Sequence, residues 1–201
     1  MTMRTSSRLP ARQQGVVLFI ALIVLVAMSL AGVALVRSVD TSLGIAGNMA
    51  FKQSTLQGSD LGIKEAYNWL LANNTGTILQ TTSVANGYAS AMPGSEDWFD
   101  IGKWGQSKLA NGGAVDGAGN TVRYIIHRMC TLADTPYNGS LAGVANQCAL
   151  QVIAGGAAGG SMAVGSPQFQ GVPALYYRIT TRVDGPRNTT SIVQVSVIFK
   201  V

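Results

Sequence analysis

Side chains that could do covalent or acid–base chemistry are few in this chain of 201 residues. The single histidine, His127, lies three residues before Cys130 on a predicted strand, so the two side chains point to opposite faces and form no nucleophile–base pair. Glu96 and Asp97 are adjacent, which by itself creates no acid–base pair. The histidine and cysteine supply is too small for a typical zinc site. We therefore expect no enzyme activity, no metal and no cofactor.

The two cysteines, Cys130 and Cys148, are the next candidates for chemistry. In an exported domain such a pair most often forms a disulfide. Closing a loop of about 18 residues would stabilise the fold by roughly 3 kcal/mol. The alternative is two buried free thiols, which applies if the domain stays in a reducing compartment.

The peptide bond between Gly15 and Val16 is a candidate site of proteolytic processing. Residues 1–15 are polar and basic, whereas residues 16–36 carry no charge. Twenty-one helical residues span about 31 Å, close to the thickness of a bilayer's hydrocarbon core. The leader arginines, which keep the N-terminus in the cytoplasm by the positive-inside rule, are Arg4, Arg8 and Arg12. Gly15 supplies a small, conformationally free residue at the boundary.

Two other targeting signals explain part of this pattern. A secretory signal peptide has an apolar stretch of about 7–15 residues, which is shorter than this one, although Ala31 to Ala34 resembles its cleavage site. An uncleaved membrane anchor explains the span and the charges but needs no glycine at the boundary.

The net charge of +5 belongs mostly to the leader. Removing residues 1–15 leaves 14 − 3 = 11 basic residues against 9 acidic ones. No basic cluster with interleaved aromatics remains, so we expect no nucleic-acid binding.

The helical pattern continues beyond the span, through residues 37–72, and Asn73 to Gly76 is a stop signal. A stripe predicted to pack on the exported domain repeats every seven residues, at Met49, Leu56, Ile63 and Leu70. Its glycines each cost up to about 1 kcal/mol relative to alanine, and they are Gly32, Gly44, Gly47, Gly58 and Gly62. We interpret them as local softness or close helix packing; the alternative is a break near Gly44–Gly47.

Residues 73–201 are predicted to form a β-rich globular domain. Strand-like runs cover 121–130, 148–153, 175–183 and 193–201, and residues 184–188 form a hairpin loop between the last two. A sheet of about four antiparallel strands against the helix makes the fold class α+β. The loop at 76–120 contains Trp98 and Trp104, which we expect to fix it to the core; the alternative is an exposed aromatic and acidic contact patch at 96–100. Residues 155–165 are predicted to be a flexible connection, and 116–120 lack the ligand spacing of a calcium loop.

The N-terminal pattern Gln-Gly-Val-Val-Leu-Phe-Ile-Ala-Leu-Ile-Val-Leu-Val at 14–26 resembles PilX-type minor pilins of type IV pili. The stretches Ile-Ala-Gly-Asn-Met-Ala-Phe-Lys-Gln at 45–53 and Gln-Gly-Ser-Asp-Leu-Gly-Ile-Lys-Glu-Ala at 57–66 are also similar to that family. The resemblance covers about residues 12–70 and returns weakly at 173–183.

The resemblance implies a pilin fold, cleavage by a prepilin peptidase after Gly15, and an N-methylated Val16 as the new N-terminus. Major pilins usually carry a glutamate five residues into the mature chain, where this sequence has Ile20. A buried α-ammonium needs a counter-charge, and this chain cannot supply it to a neighbour. We therefore expect a place at a filament tip or in a priming complex.

The implied partners are other minor pilins, the major pilin, the inner membrane and a PilY-type tip adhesin. The chain would begin in the inner membrane with a periplasmic C-terminal domain and end at the pilus or cell surface. Two alternatives stay open: a minor pseudopilin of a type II secretion system, or an uncleaved, membrane-anchored periplasmic binding or adhesion module.

Overall fold

The computed structural model describes residues 15–152 and 173–200. The predicted leader before Gly15, the glycine-rich connection at 155–165 and the strand ends at Ile153 and Val201 lie outside these residues. In the described part, one long helix and a mixed sheet form an α+β protein. The chain divides into two compact units, one ending at Met49 and the other starting at Ala50. The second unit thus includes helical residues that we had placed before the globular domain, because these residues cover the sheet.

The helix α1 runs from Val16 to Asn73, over 58 residues. It is helical through Gly44 and Gly47, so the expected unbroken helix is present and the break is not. Proline, the residue that most strongly interrupts a helix, is absent from 11–92, and isolated glycines weaken a helix without ending it.

The first unit consists, in its described part, of the helical residues up to Met49 and Gly15 before them. Its large apolar side chains are exposed throughout, as Ile20 illustrates at 54%. By length and composition the helix is able to cross a membrane. A Cβ added at Gly32, Gly44 or Gly47 would meet nothing within 4 Å, so among the described residues these glycines serve no close contact.

The second unit contains a sheet of six strands, larger than the four predicted. Its strands are β1 (Tyr88–Ala89), β2 (Lys108–Leu109), β3 (Thr121–Arg128), β6 (Leu150–Val152), β7 (Pro173–Gly185) and β8 (Thr189–Lys200). A separate hairpin joins β4 (Ser140–Leu141) to β5 (Val144–Ala145). The strands that the sequence did not predict have only two residues each, too few to show an alternating pattern.

Strand β7 is the centre of the sheet and pairs antiparallel with β3, β6 and β8. The parallel pair is β1 with β3, which makes the sheet mixed. Alternate β7 side chains from Leu175 to Val183 are buried under the helix in the main core, together with Val122, Tyr124 and Ile126 of β3. This is the face that the alternation of β7 predicted.

The helix face that packs on this sheet includes only the C-terminal half of the predicted stripe, Ile63 and Leu70. Its buried residues are Thr55, Gly58, Ser59, Gly62, Ala66 and Leu70. Of the stripe, Leu70 is buried and Ile63 half-buried, but Met49 and Leu56 are 67% and 45% exposed. The sheet supplies the bulk: a Cβ on Gly62 would stand 3.0 Å from side-chain carbons of Thr181 and Val122. Large residues would hold the helix too far away, so small ones occupy the contact.

Candidate functional site

The Gly15–Val16 junction lies at the start of the helix. Gly15 is a turn residue, and a Cβ there would meet nothing within 4 Å. Its carbonyl accepts the first helical bond from the Phe19 amide, at 3.4 Å. Val16 is 57% exposed. Both residues of this peptide bond are therefore exposed and accessible to an enzyme.

Acidic groups are missing from the first part of the helix. Ile20 stands in the fifth position after Gly15, and the first acid of the chain is Asp40. At a rise of 1.5 Å per residue, Asp40 lies about 36 Å from Val16 along the helix axis. Within the first unit, a new α-ammonium at Val16 would thus have no acid nearby to compensate it.

The two cysteines form a disulfide, Cys130–Cys148. Cys130 is fully buried in the main core, and the residues pair as an isolated antiparallel bridge. Main-chain bonds from Thr131 to Gln147 and from Ala149 to Met129 flank the bridge, each about 2.8–2.9 Å long. The disulfide therefore joins the end of β3 to the chain just before β6 and closes the loop between them.

That loop is held from inside by polar side chains that sequence reasoning did not single out. Asn146, 7% exposed, donates to the carbonyls of Thr135 (3.1 Å) and Pro136 (3.0 Å) and accepts from the Leu132 amide (2.9 Å). Arg128, 1% exposed, donates through Nη2 to the same Thr135 carbonyl. The available signal was an arginine at the end of a strand rich in apolar residues.

The other face of the sheet carries a smaller apolar cluster of Trp98, Trp104 and Ile125. Trp104 donates through Nε1 to the Trp98 carbonyl at 2.9 Å, and the two rings lie 5.5 Å apart. The tryptophans thus fix the 96–104 loop to the sheet, as predicted. Phe99, between them, is 79% exposed.

His127 lies beside this second cluster, with its ring 5.5 Å from that of Trp98. Cys130 lies in the main core, so the two side chains are on opposite faces as the strand spacing predicted. Burial and the nearby Arg178 lower the pKa of His127 to about 4, against the opposing effect of Glu96. Arg178 and Glu96 form an ion pair beside it. At neutral pH the imidazole is uncharged.

Two open clefts of about 260 and 270 Å³ adjoin His127 and share Pro93, Gly94 and Gln106. Trp98 and Lys103 line one of them. In the described residues no group of three or more His, Cys, Asp or Glu side chains is placed to hold a metal ion. Among the described residues, the buried His127 Nδ1 atom has no hydrogen-bond partner, so it orients no nucleophile.

The Asp116–Asn120 loop is closed by its own side chains. Asp116 Oδ1 accepts the amides of Ala118 and Asn120, each at 2.8 Å. Burial opposes ionisation of Asp116, but the bonds from Asn120, Ala118 and Gly119 outweigh it and lower its pKa. The carboxylate therefore stabilises a turn.

No protein-family model, curated protein or solved structure matches this chain.

Proposed function

We propose that the chain is a minor pilin, a non-catalytic subunit inserted in the inner membrane and then assembled into a type IV pilus. The observation that carries the proposal is the helix itself. It starts directly after Gly15, exposes uncharged apolar side chains up to Val36, and goes on without a break to cover a disulfide-linked sheet. Such an arrangement suits a protein that must first lie in a bilayer and later bury the same surface against neighbouring subunits.

The chemistry of the exposed helix favours transfer from lipid to protein. Lipid tails are as apolar as leucine side chains, so packing between helices depends on close approach and small residues. A Cβ at Gly32, Gly44 or Gly47 would meet nothing in residues 15–152 and 173–200, which leaves these glycines available to helices of other subunits. The contacts we propose there, with the major pilin and other minor pilins, also involve Ile20 and Met49, which are exposed.

We infer the position in the filament from Ile20. Because the residue in this position is apolar, the subunit offers no carboxylate to the α-ammonium of a neighbour. A tip or priming complex requires fewer of these contacts than a shaft does. A PilY-type adhesin is the partner we propose beyond the tip, and the pilus or cell surface is the final location.

The test is the mature N-terminus, determined by mass spectrometry on protein isolated from its native host. We expect a chain that begins at Val16 with a methyl group on its amine. A G15V variant should retain the leader, because a β-branched residue replaces the small one at the cut, while A21V, within the helix, should be processed normally.

Other outcomes identify other functions. A wild-type chain that still carries Arg4 to Gly15 is a membrane-anchored binding module, and a cut near Ala31–Ala34 makes the protein secreted. If Val16 is the N-terminus, labelling the subunit along filaments tests its position: signal at one end agrees with the proposal, and uniform signal along the shaft contradicts it. Loss of secretion with intact pili in a deletion strain would make the chain a pseudopilin.

A further inference from the structure

Arg128 is a buried cation whose hydrogen-bond partners are neutral. The residue is 1% exposed at the end of β3. Its Nε donates to the carbonyl of Ser90 at 2.8 Å and its Nη2 to that of Thr135 at 2.6 Å. Carbonyls satisfy donors but carry no net charge. An ionised guanidinium removed from water is costly unless an opposite charge compensates it.

In the part of the chain that the structure describes, no acid pairs directly with that cation. All nine acidic residues lie in the part of the chain that the structure describes. Its ion pairs within 4.0 Å join Arg178 to Glu96, and Arg123 and Arg182 to Asp184. Within these residues, no carboxylate comes that close to Arg128.

Asp134 is an acid that interacts electrostatically with Arg128. Its pKa is lowered, first by the Thr82 amide and last by Arg128. The Asp134 Oδ1 atom already accepts the Thr82 amide at 2.7 Å and the Ser90 hydroxyl at 3.0 Å. Asp134 therefore reaches Arg128 indirectly, through Ser90.

A small cavity of about 80 Å³ lies beside Arg128. Tyr137, Tyr177, Gln80 and Lys200 line it with the arginine, and no acidic side chain does. Lys200 adds a second cation and is itself exposed. Burial raises the pKa of Tyr177 to about 12, against the opposing effect of Arg128, so its hydroxyl stays protonated at neutral pH. The lining thus combines two cationic and two tyrosine side chains with the apolar Leu79 and Leu175.

We propose that this cavity binds one carboxylate group, which supplies the counter-charge that Arg128 lacks. A planar guanidinium matches the geometry of a carboxylate. Because Lys200 is exposed and its charge is hydrated, Arg128 is the one buried cation of the lining, and a single negative charge is enough to compensate it. The carboxylate can belong to a free small acid or to the end of a protein chain, and these two sources are distinguished by the probes below.

The test uses the full-length protein in detergent, with a C-terminal tag so that no free carboxylate follows Val201 directly. Acetate, acetyl-diglycine and acetyl-diglycine amide are titrated at constant ionic strength and followed by calorimetry. We expect acetate or acetyl-diglycine to bind and the amide not to bind. Acetate alone would indicate a free acid, and tighter binding of acetyl-diglycine would indicate a chain end.

Three variants make the result specific. K200Q should weaken binding about 3- to 10-fold without loss of fold, because Lys200 is exposed, and R128M should abolish it. K103Q removes a charge beside the other face and should bind as wild type. If R128M fails to fold, the comparison of carboxylate binding between K200Q and K103Q tests the proposal. The proposal is wrong if no carboxylate binds up to 100 mM, if K200Q binds like K103Q, or if chloride at equal concentration displaces the ligand.

Discussion

Gly185, at the end of β7, lies directly against the side chain of Asn120. A Cβ on Gly185 would stand 2.6 Å from Asn120 Oδ1 and equally close to a methyl carbon of Thr55. Asn120 is fully buried, and its Nδ2 donates to Ser54 at 3.0 Å and to Asp116 at 2.7 Å. Helix, loop and sheet therefore meet at a point with no space for one more carbon.

A G185A variant should be destabilised by about 2 kcal/mol, because overpacking a tight core forces side chains off their preferred positions. The control is G94A, where a Cβ would meet nothing within 4 Å and which should change stability by less than about 0.5 kcal/mol. Urea unfolding followed by tryptophan fluorescence measures both, since Trp69, Trp98 and Trp104 all lie in the second unit. Equal stability of the two variants would contradict the packing.

The stability of the second unit should depend on the protonation of His127. Its pKa is about 4 in the folded protein and 6.5 in the unfolded chain, so between these values the unfolded state binds more protons. Stability should therefore fall as pH is lowered from 6.5 to 4, by on the order of 3 kcal/mol. Asp116 and Asp134 have lowered pKa values, so their protonation reduces stability below about pH 3.8, outside this window.

The measurement is urea unfolding at pH 6.5, 5.2 and 4.2 on wild type and H127L. Leucine is close in volume to the imidazole and cannot take up a proton. We expect the variant to lose most of the pH dependence over this range. A slope unchanged in H127L would assign the effect to other groups.

The elements with long, regular patterns were predictable from sequence. The alternation from Leu175 to Val183 placed β7 and its buried face, and the uncharged run after Gly15 placed the start of the helix. These patterns report burial directly, because an antiparallel strand buries alternate residues and a membrane helix must exclude charge.

The contact between helix and sheet was predicted correctly at Ile63 and Leu70 and wrongly at Met49 and Leu56, for a physical reason. Periodicity of large apolar residues identified Met49 and Leu56, which are exposed, whereas Gly58 and Gly62 are buried. Hydropathy patterns assume that large residues fill a core from both sides. Here the large side chains come from the sheet, and the helix contributes small residues. Arg128 was missed because its bonds go to loop carbonyls 38 and 7 residues away, which no local pattern encodes.

Removing the disulfide should cost about 3 kcal/mol, since it closes a loop of 18 residues. The variant is the double substitution of Cys130 and Cys148 by alanine. Dithiothreitol should lower the urea midpoint of the wild type toward that of the double variant and leave the double variant unchanged. A wild-type midpoint unaffected by complete reduction, verified by thiol labelling, would show that the loop holds without the bond.

In the aromatic loop at 96–104, the tryptophans are buried and fix the loop to the sheet, whereas Phe99 is exposed. Trp104 is 2% exposed and holds Trp98 through its indole nitrogen, so W104A should cost about 3–5 kcal/mol as a large buried aromatic is lost. Phe99 is 79% exposed, so F99A should change stability by less than about 0.5 kcal/mol. Urea unfolding of the two variants gives the comparison. A large loss of stability in F99A would mean that more than the tryptophans fixes the loop. A small loss of stability in W104A would contradict the role of Trp104 in fixing it.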